Sequence, residues 1–247
     1  PVSAGKFAYF AQARTSGTAI REYFADDDTL TNDGMDITVS VGNLIPSNCY
    51  QIVSNTTEDT LIFLTSATGD SQTAPFSGTA SSTDADTMYI YKYFFDGGEK
   101  VQNAWSKWTF TGAKIIGAMS LESFIYVLIS EGTTTKLAKI DLRNLKDATI
   151  GHGVYIDLKA SVTGTYASGT GLTTFTSPYG AKTGLIAVDR ANGNNYTATN
   201  TSGSTYTIVG DHTALYIGVP YESKYTLSPQ YVRENTGRGL VAVTSGR

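Results

Sequence analysis

Six carboxylates, Glu22, Glu58, Asp59, Glu99, Glu122 and Asp141, are of the type that hydrolyses glycosidic bonds. That chemistry needs two of them flanking a cleft at a set separation. Nothing in their spacing singles out a pair. The two histidines, His152 and His212, lack the short fixed spacings to further ligands that a metal cluster requires. No G-x-S-x-G elbow anchors a serine nucleophile, and GTGLTTF lacks the lysine of a phosphate loop. GHG around His152 reads as a flexible linker. Asp26, Asp27 and Asp28 are adjacent rather than alternating, so repulsion favours a solvated turn, with a calcium site as the alternative. Asp84 and Asp86 fall in a polar loop and carry less weight. Trp105 and Trp108, three apart, point to opposite faces of a strand. They are expected to pack in a core, with a stacking role for sugars or bases as the alternative. Cys49 stands alone, so there is no disulfide framework; it reads as a small buried hydrophobe, at home in a reducing cytoplasm. The expectation is no catalytic, cofactor-binding or metal-binding residue, no cofactor, and no enzyme.

The elements around these residues read as strands. Charged residues are 16% of the chain, and Thr, Ser, Gly and Tyr are abundant. β-branched and aromatic residues suit a pleated surface, while Gly, Asn and Asp supply turns. No stretch keeps an apolar face at helical period for several turns. The best helical challenger, AKIIGAMSLESFIYVLIS, is rich in β-branched residues and contains Gly117, so it reads as two strands.

Three apolar strands recur: FAYFAQ at 7–12, LIFLTS at 61–66 and IYVLIS at 125–130. Each is followed by an alternating partner, AIREYF, MYIYKYF or LAKIDL. Such units are typical of propeller blades, and three cannot close a ring, so further blades are expected in flanking sequence. The polar stretch 66–87 is expected to be an exposed, mobile loop open to proteolysis. Asp96, Gly97 and Gly98 mark a hairpin turn. After about residue 150 the texture changes to short strands joined by Asn192-Gly193 and TSGS turns. The fold class is therefore all-β: residues 1–149 form an incomplete propeller-like domain of about three blade-like units, and 150–247 an antiparallel meander or sandwich-like domain.

Lys and Arg total 18 against 22 Asp and Glu, a formal net charge of −4. No basic cluster appears, which argues against a tight grip on DNA but permits passive contact. No segment approaches the ~18 uninterrupted apolar residues of a membrane span. The first residue is Pro1 and the last Arg247, so the chain is expected to be part of something longer.

PVSAGKFAYF with AIREYF, then DGGEKVQNAWSKWTF after MYIYKYFF, then TGTYASGTGLTTFTSPYG and GVPYESKYTLSPQYV, occur in an order that resembles the nozzle proteins of short-tailed bacteriophages, also called tail tubular protein B. The resemblance reaches from the first residues to about Tyr231 and corresponds to the middle of such proteins. It implies a hexameric ring beneath the tail adaptor protein, built from a propeller-like domain and further β domains around a channel. It implies a virion component, assembled in the host cytoplasm, that conducts DNA during ejection and docks tail fibres. The stretch 66–87 is longer than the family's usual connection. Pro220, Tyr221 and Glu222, in the late matching segment, read as a strand-entry turn, or alternatively as a contact with a neighbouring subunit. The runner-up function is a carbohydrate-binding or polysaccharide-degrading β protein.

Overall fold

The computed structural model describes residues 1–5, 7–26, 31–42, 44–65, 86–96, 99–225, 231–235 and 240–244. Among these the extended elements are all β-strands, in several small antiparallel sheets. Most of the expected loop 66–87, with Asp27, Asp28, Asp84, Gly97 and Gly98, lies outside the described residues. No helix among them is long and apolar enough to cross a membrane. The chain divides into two compact units, Pro1–Arg143 and Asn144–Arg247.

The first unit holds three sheets whose strands follow one another in chain order. The first sheet is β1 (Val2–Ala4), β2 (Phe7–Arg14), β3 (Gly17–Asp26) and β4 (Thr31–Asp36). The second is β5 (Cys49–Asn55), β6 (Thr60–Thr65), β7 (Thr87–Asp96) and β8 (Glu99–Thr109). The third is β9 (Lys114–Leu121), β10 (Phe124–Glu131) and β11 (Thr134–Asp141). The helical challenger is thus the β9–β10 hairpin. No closed ring of blades exists among the described residues.

The second sheet is covered on both faces, which explains its runs of apolar residues. Leu61, Phe63, Tyr89, Tyr91 and Tyr93 pack with Tyr9 and Ile20 of the first sheet. Their neighbours along the same strands, Ile62, Leu64, Met88 and Ile90, pack with Ile115, Ile125 and Val127 of the third. Every residue of Thr60–Thr65 is buried.

The second unit contains β12 (Asp157–Thr163), β13 (Thr165–Ala167), β14 (Leu172–Thr176), β15 (Ile186–Asp189), β16 (Asn195–Thr197), β17 (Thr199–Ser202), β18 (Thr205–Val209) and β19 (Ala214–Val219). They form two four-stranded sheets, ordered β12-β19-β15-β16 and β13-β14-β18-β17. Phe175, Tyr206 and Ile208 of one sheet share a core with Ala187, Leu215 and Ile217 of the other. A separate hairpin, β20 (Tyr231–Asn235) with β21 (Leu240–Thr244), follows.

Candidate functional site

The most chemically loaded cluster lies in the seam between the first and second sheets. Antiparallel register sets Tyr9 on β2 directly opposite Glu22 on β3. The Tyr9 hydroxyl donates to Glu22 Oε2 at 2.6 Å. Glu22 is only 2% exposed, and its carboxylate also accepts a hydrogen bond from the Lys100 ammonium of β8. Lys100 donates to the Tyr91 hydroxyl at 3.3 Å and lies within 6 Å of the Phe7, Tyr91 and Phe95 rings. Burial, reinforced by the Glu22 carboxylate, raises the Tyr9 and Tyr91 phenols well above their ordinary value. Burial likewise pushes Tyr93 up to about 12. The phenols therefore stay protonated, Tyr9 donating to Glu22 and Tyr91 accepting from Lys100. Among the described side chains Glu22 faces a cation and a phenol, not the second carboxylate of a glycosidase acid pair.

Other acids gather at turns. Asp59 and Glu122 adopt positive φ, 47° and 53°, in the β5–β6 and β9–β10 turns. Asn55 joins these turns by donating to the Glu122 carbonyl at 2.7 Å. Arg143 grips Asp141 with two hydrogen bonds, 2.9 and 2.8 Å. The guanidinium also feels the charges of Glu58 and Glu122. Its hydrogen bond holds the Asp141 carboxyl below the usual range. This is a solvated charge network with a cation at its centre. The side chains of Asp26 and Glu99 lie outside the described residues. Asp86 caps locally, accepting from Thr87 Oγ1 at 2.8 Å.

The histidines are not brought together as a metal site. Among the described residues no group of three or more His, Cys, Asp or Glu is placed to hold a metal. His152 is exposed and rests against Gly193, where a Cβ would come within 3.0 Å of its ring. His212 is buried, with Nδ1 2.9 Å from Asp189 Oδ2 and Nε2 3.0 Å from the Val209 carbonyl. Both ring nitrogens are occupied, so neither is free to activate a nucleophile. Asp189 also accepts from the Ala191 amide and the Asn192 amide group, which fastens the Asn192-Gly193 turn.

Trp105 and Trp108 separate as their spacing requires. Trp105 packs with Tyr91 and Phe63, ring centroids 4.7 and 5.4 Å away, and donates to the Ile37 carbonyl at 3.2 Å. Trp108 packs in the core on the opposite face of the second sheet. Cys49 is half-buried, and burial pushes its thiol up to about 12, which keeps it in the less nucleophilic protonated form near neutral pH. Tyr221, just after β19, is 52% exposed, and Glu222 pairs with Lys224 at 3.5 Å on the surface.

Sequence reasoning missed one part-buried cluster in the second unit. The Tyr216 hydroxyl donates to Asp147 at 2.6 Å, while Lys159 and Arg190 lie 4.4 and 4.6 Å from its ring. Cation–aromatic contacts between elements so far apart in sequence leave no local signal.

A family model described as bacteriophage nozzle protein matches residues 1–247. The tail tubular protein gp12 of Escherichia phage T7 is 29% identical over 195 residues, 74% of this chain and 22% of that protein. The chain thus spans about a fifth of that relative's length.

Proposed function

Because the chain belongs to the bacteriophage nozzle protein family, we propose that it is a wall segment of the tail conduit through which the genome leaves the particle, working by assembly and shape without chemical turnover. The chain is a component of the phage tail. The observation that supports a wall is the stack of the first unit, in which successive antiparallel sheets pack face to face in chain order. We read these sheets as consecutive blades of a propeller completed by other sheets, with residues 1–149 as the propeller-like domain and 150–247 as a second β domain. In the intact protein the copies form a ring, a hexamer, against the tail adaptor protein, and tail fibres dock on its outside.

Charge supports passage. A net charge of −4 without a basic stripe lets DNA slide past without displacing its counterions. The engaged states of Glu22, Asp141 and His212 support the absence of turnover.

Depleting the protein during infection tests this reading. The expected particles package DNA yet lack the tail tip and fail to eject. Intact tails and normal ejection would refute it. Purified protein is expected to release no reducing sugar from host capsule; concentration-dependent release would favour the polysaccharide-degrading alternative.

A further inference from the structure

The turn after β15 carries the one Asn-Gly step in the sequence, Asn192-Gly193. Asparagine before glycine is open to ring closure, because no side chain shields the attacking backbone nitrogen. In that reaction the Gly193 amide nitrogen attacks Cγ of Asn192, its proton passes to water, and the side-chain nitrogen leaves as ammonia. An N–Cγ bond forms and the Cγ–Nδ2 bond breaks, giving a succinimide. Water then opens the ring to aspartate or isoaspartate. Asn192 is exposed, so water is at hand. The fold nevertheless holds each reacting group in place. The Gly193 amide donates to the Asp189 carbonyl at 2.7 Å. Asn192 Nδ2 donates to Asp189 Oδ2 at 3.0 Å, and Asn192 Oδ1 accepts from the Asn194 amide at 2.8 Å. With both ends of the side-chain amide held, Cγ is kept from swinging onto the Gly193 nitrogen.

We propose that Asn192 is a spontaneous deamidation site guarded by Asp189, and that its conversion records opening of the second unit irreversibly. Asp189 is 6% exposed, and both of its carboxylate oxygens are engaged. Its Oδ1 accepts from the Ala191 amide at 2.8 Å, and its Oδ2 also faces His212 Nδ1 at 2.9 Å. His212 Nε2 lies 3.0 Å from the Val209 carbonyl on β18, in the other sheet of the unit. The guard is thereby tied to both sheets, and the turn is released when their contact loosens. The product does not fit where the amide sat. Deamidation replaces the donating Nδ2 with an oxygen, so a second carboxylate would face Asp189 where a hydrogen-bond donor stood. Two acceptors of like charge repel, and the turn stays open. No synthesis renews a tail component outside the host cell, so the guard sets how long the unit keeps its shape.

Peptide mapping by mass spectrometry tests the guard, after incubation of the protein in mildly alkaline buffer with and without denaturing urea. In urea Asn192 is expected to convert to aspartate and isoaspartate. In the folded protein the conversion is expected to be roughly 100-fold slower, as for a group reached only by local opening. Equal rates in the two conditions would overturn the inference. Thermal unfolding of Asn192→Asp and Asn192→Ser tests the one-way step. Both variants keep an oxygen for the Asn194 amide and lose the Nδ2 donor, and only aspartate adds a charge beside Asp189. Asn192→Asp is expected to melt at the lower temperature. A midpoint equal to or above that of Asn192→Ser would mean that the deamidated turn recloses, and would overturn the irreversible record.

Discussion

The carboxylate of Glu22 and the ammonium of Lys100, 78 residues apart in sequence, meet in the buried seam between the first and second sheets. Their side chains are 2% and 12% exposed, so neither charge has ready access to water. Burying such a pair adds little net stability, but orphaning one member is costly. The pair therefore acts as a registration device, fixing which part of β3 faces which part of β8.

Lys100→Met should destabilise the protein by about 3 kcal/mol in urea unfolding, because it strands the Glu22 charge. The double variant Glu22→Leu with Lys100→Met should regain most of that loss. Tyr9→Phe should cost about 2 kcal/mol, the worth of a hydrogen bond to a charged group. A Lys100→Met variant as stable as the parent would mean that the charges find water.

Alkaline pH should unfold the first unit. Burial raises the Tyr9, Tyr91 and Tyr93 phenols above their unfolded values. A raised acid contributes stability that is complete below the unfolded value of about 10. That contribution disappears as pH climbs through the folded value, about 12 for Tyr93. Ultraviolet titration should show these tyrosines ionising together with loss of structure. Smooth ionisation near pH 10 in a folded protein would contradict this.

Acid should act on the second unit through Asp147. The Tyr216 hydrogen bond, helped by the Thr149 amide, holds its carboxyl below the usual range. A lowered acid stabilises fully above its unfolded value of about 4. The effect is lost as pH falls through the lower folded value. In Tyr216→Phe the Asp147 carboxyl should titrate closer to its ordinary value by NMR; an unchanged midpoint would place the cause elsewhere.

Gly193→Ala should destabilise the second unit by about 1–2 kcal/mol, the cost of a left-handed conformation for a residue with a Cβ. Gly193 has φ 79°, and an added Cβ would sit 3.0 Å from the His152 ring. His152→Ala in the same chain should relieve only the contact. Thermal unfolding of both variants separates the two contributions.

Local pattern alone was enough to establish an all-β chain. AKIIGAMSLESFIYVLIS declared two strands through its β-branched residues and Gly117, LIFLTS declared an apolar strand, and the three-residue step between Trp105 and Trp108 required opposite faces. The ordered aromatic segments also pointed to the nozzle family. Strand alternation and turn chemistry are short-range, so they are written in neighbouring residues. The meeting of Glu22 with Lys100, the approach of Lys159 and Arg190 to Tyr216, and the pairing of β12 with β19 were decided only on folding. Each depends on which distant apolar faces bury one another, and many pairings satisfy the same alternation until packing selects one.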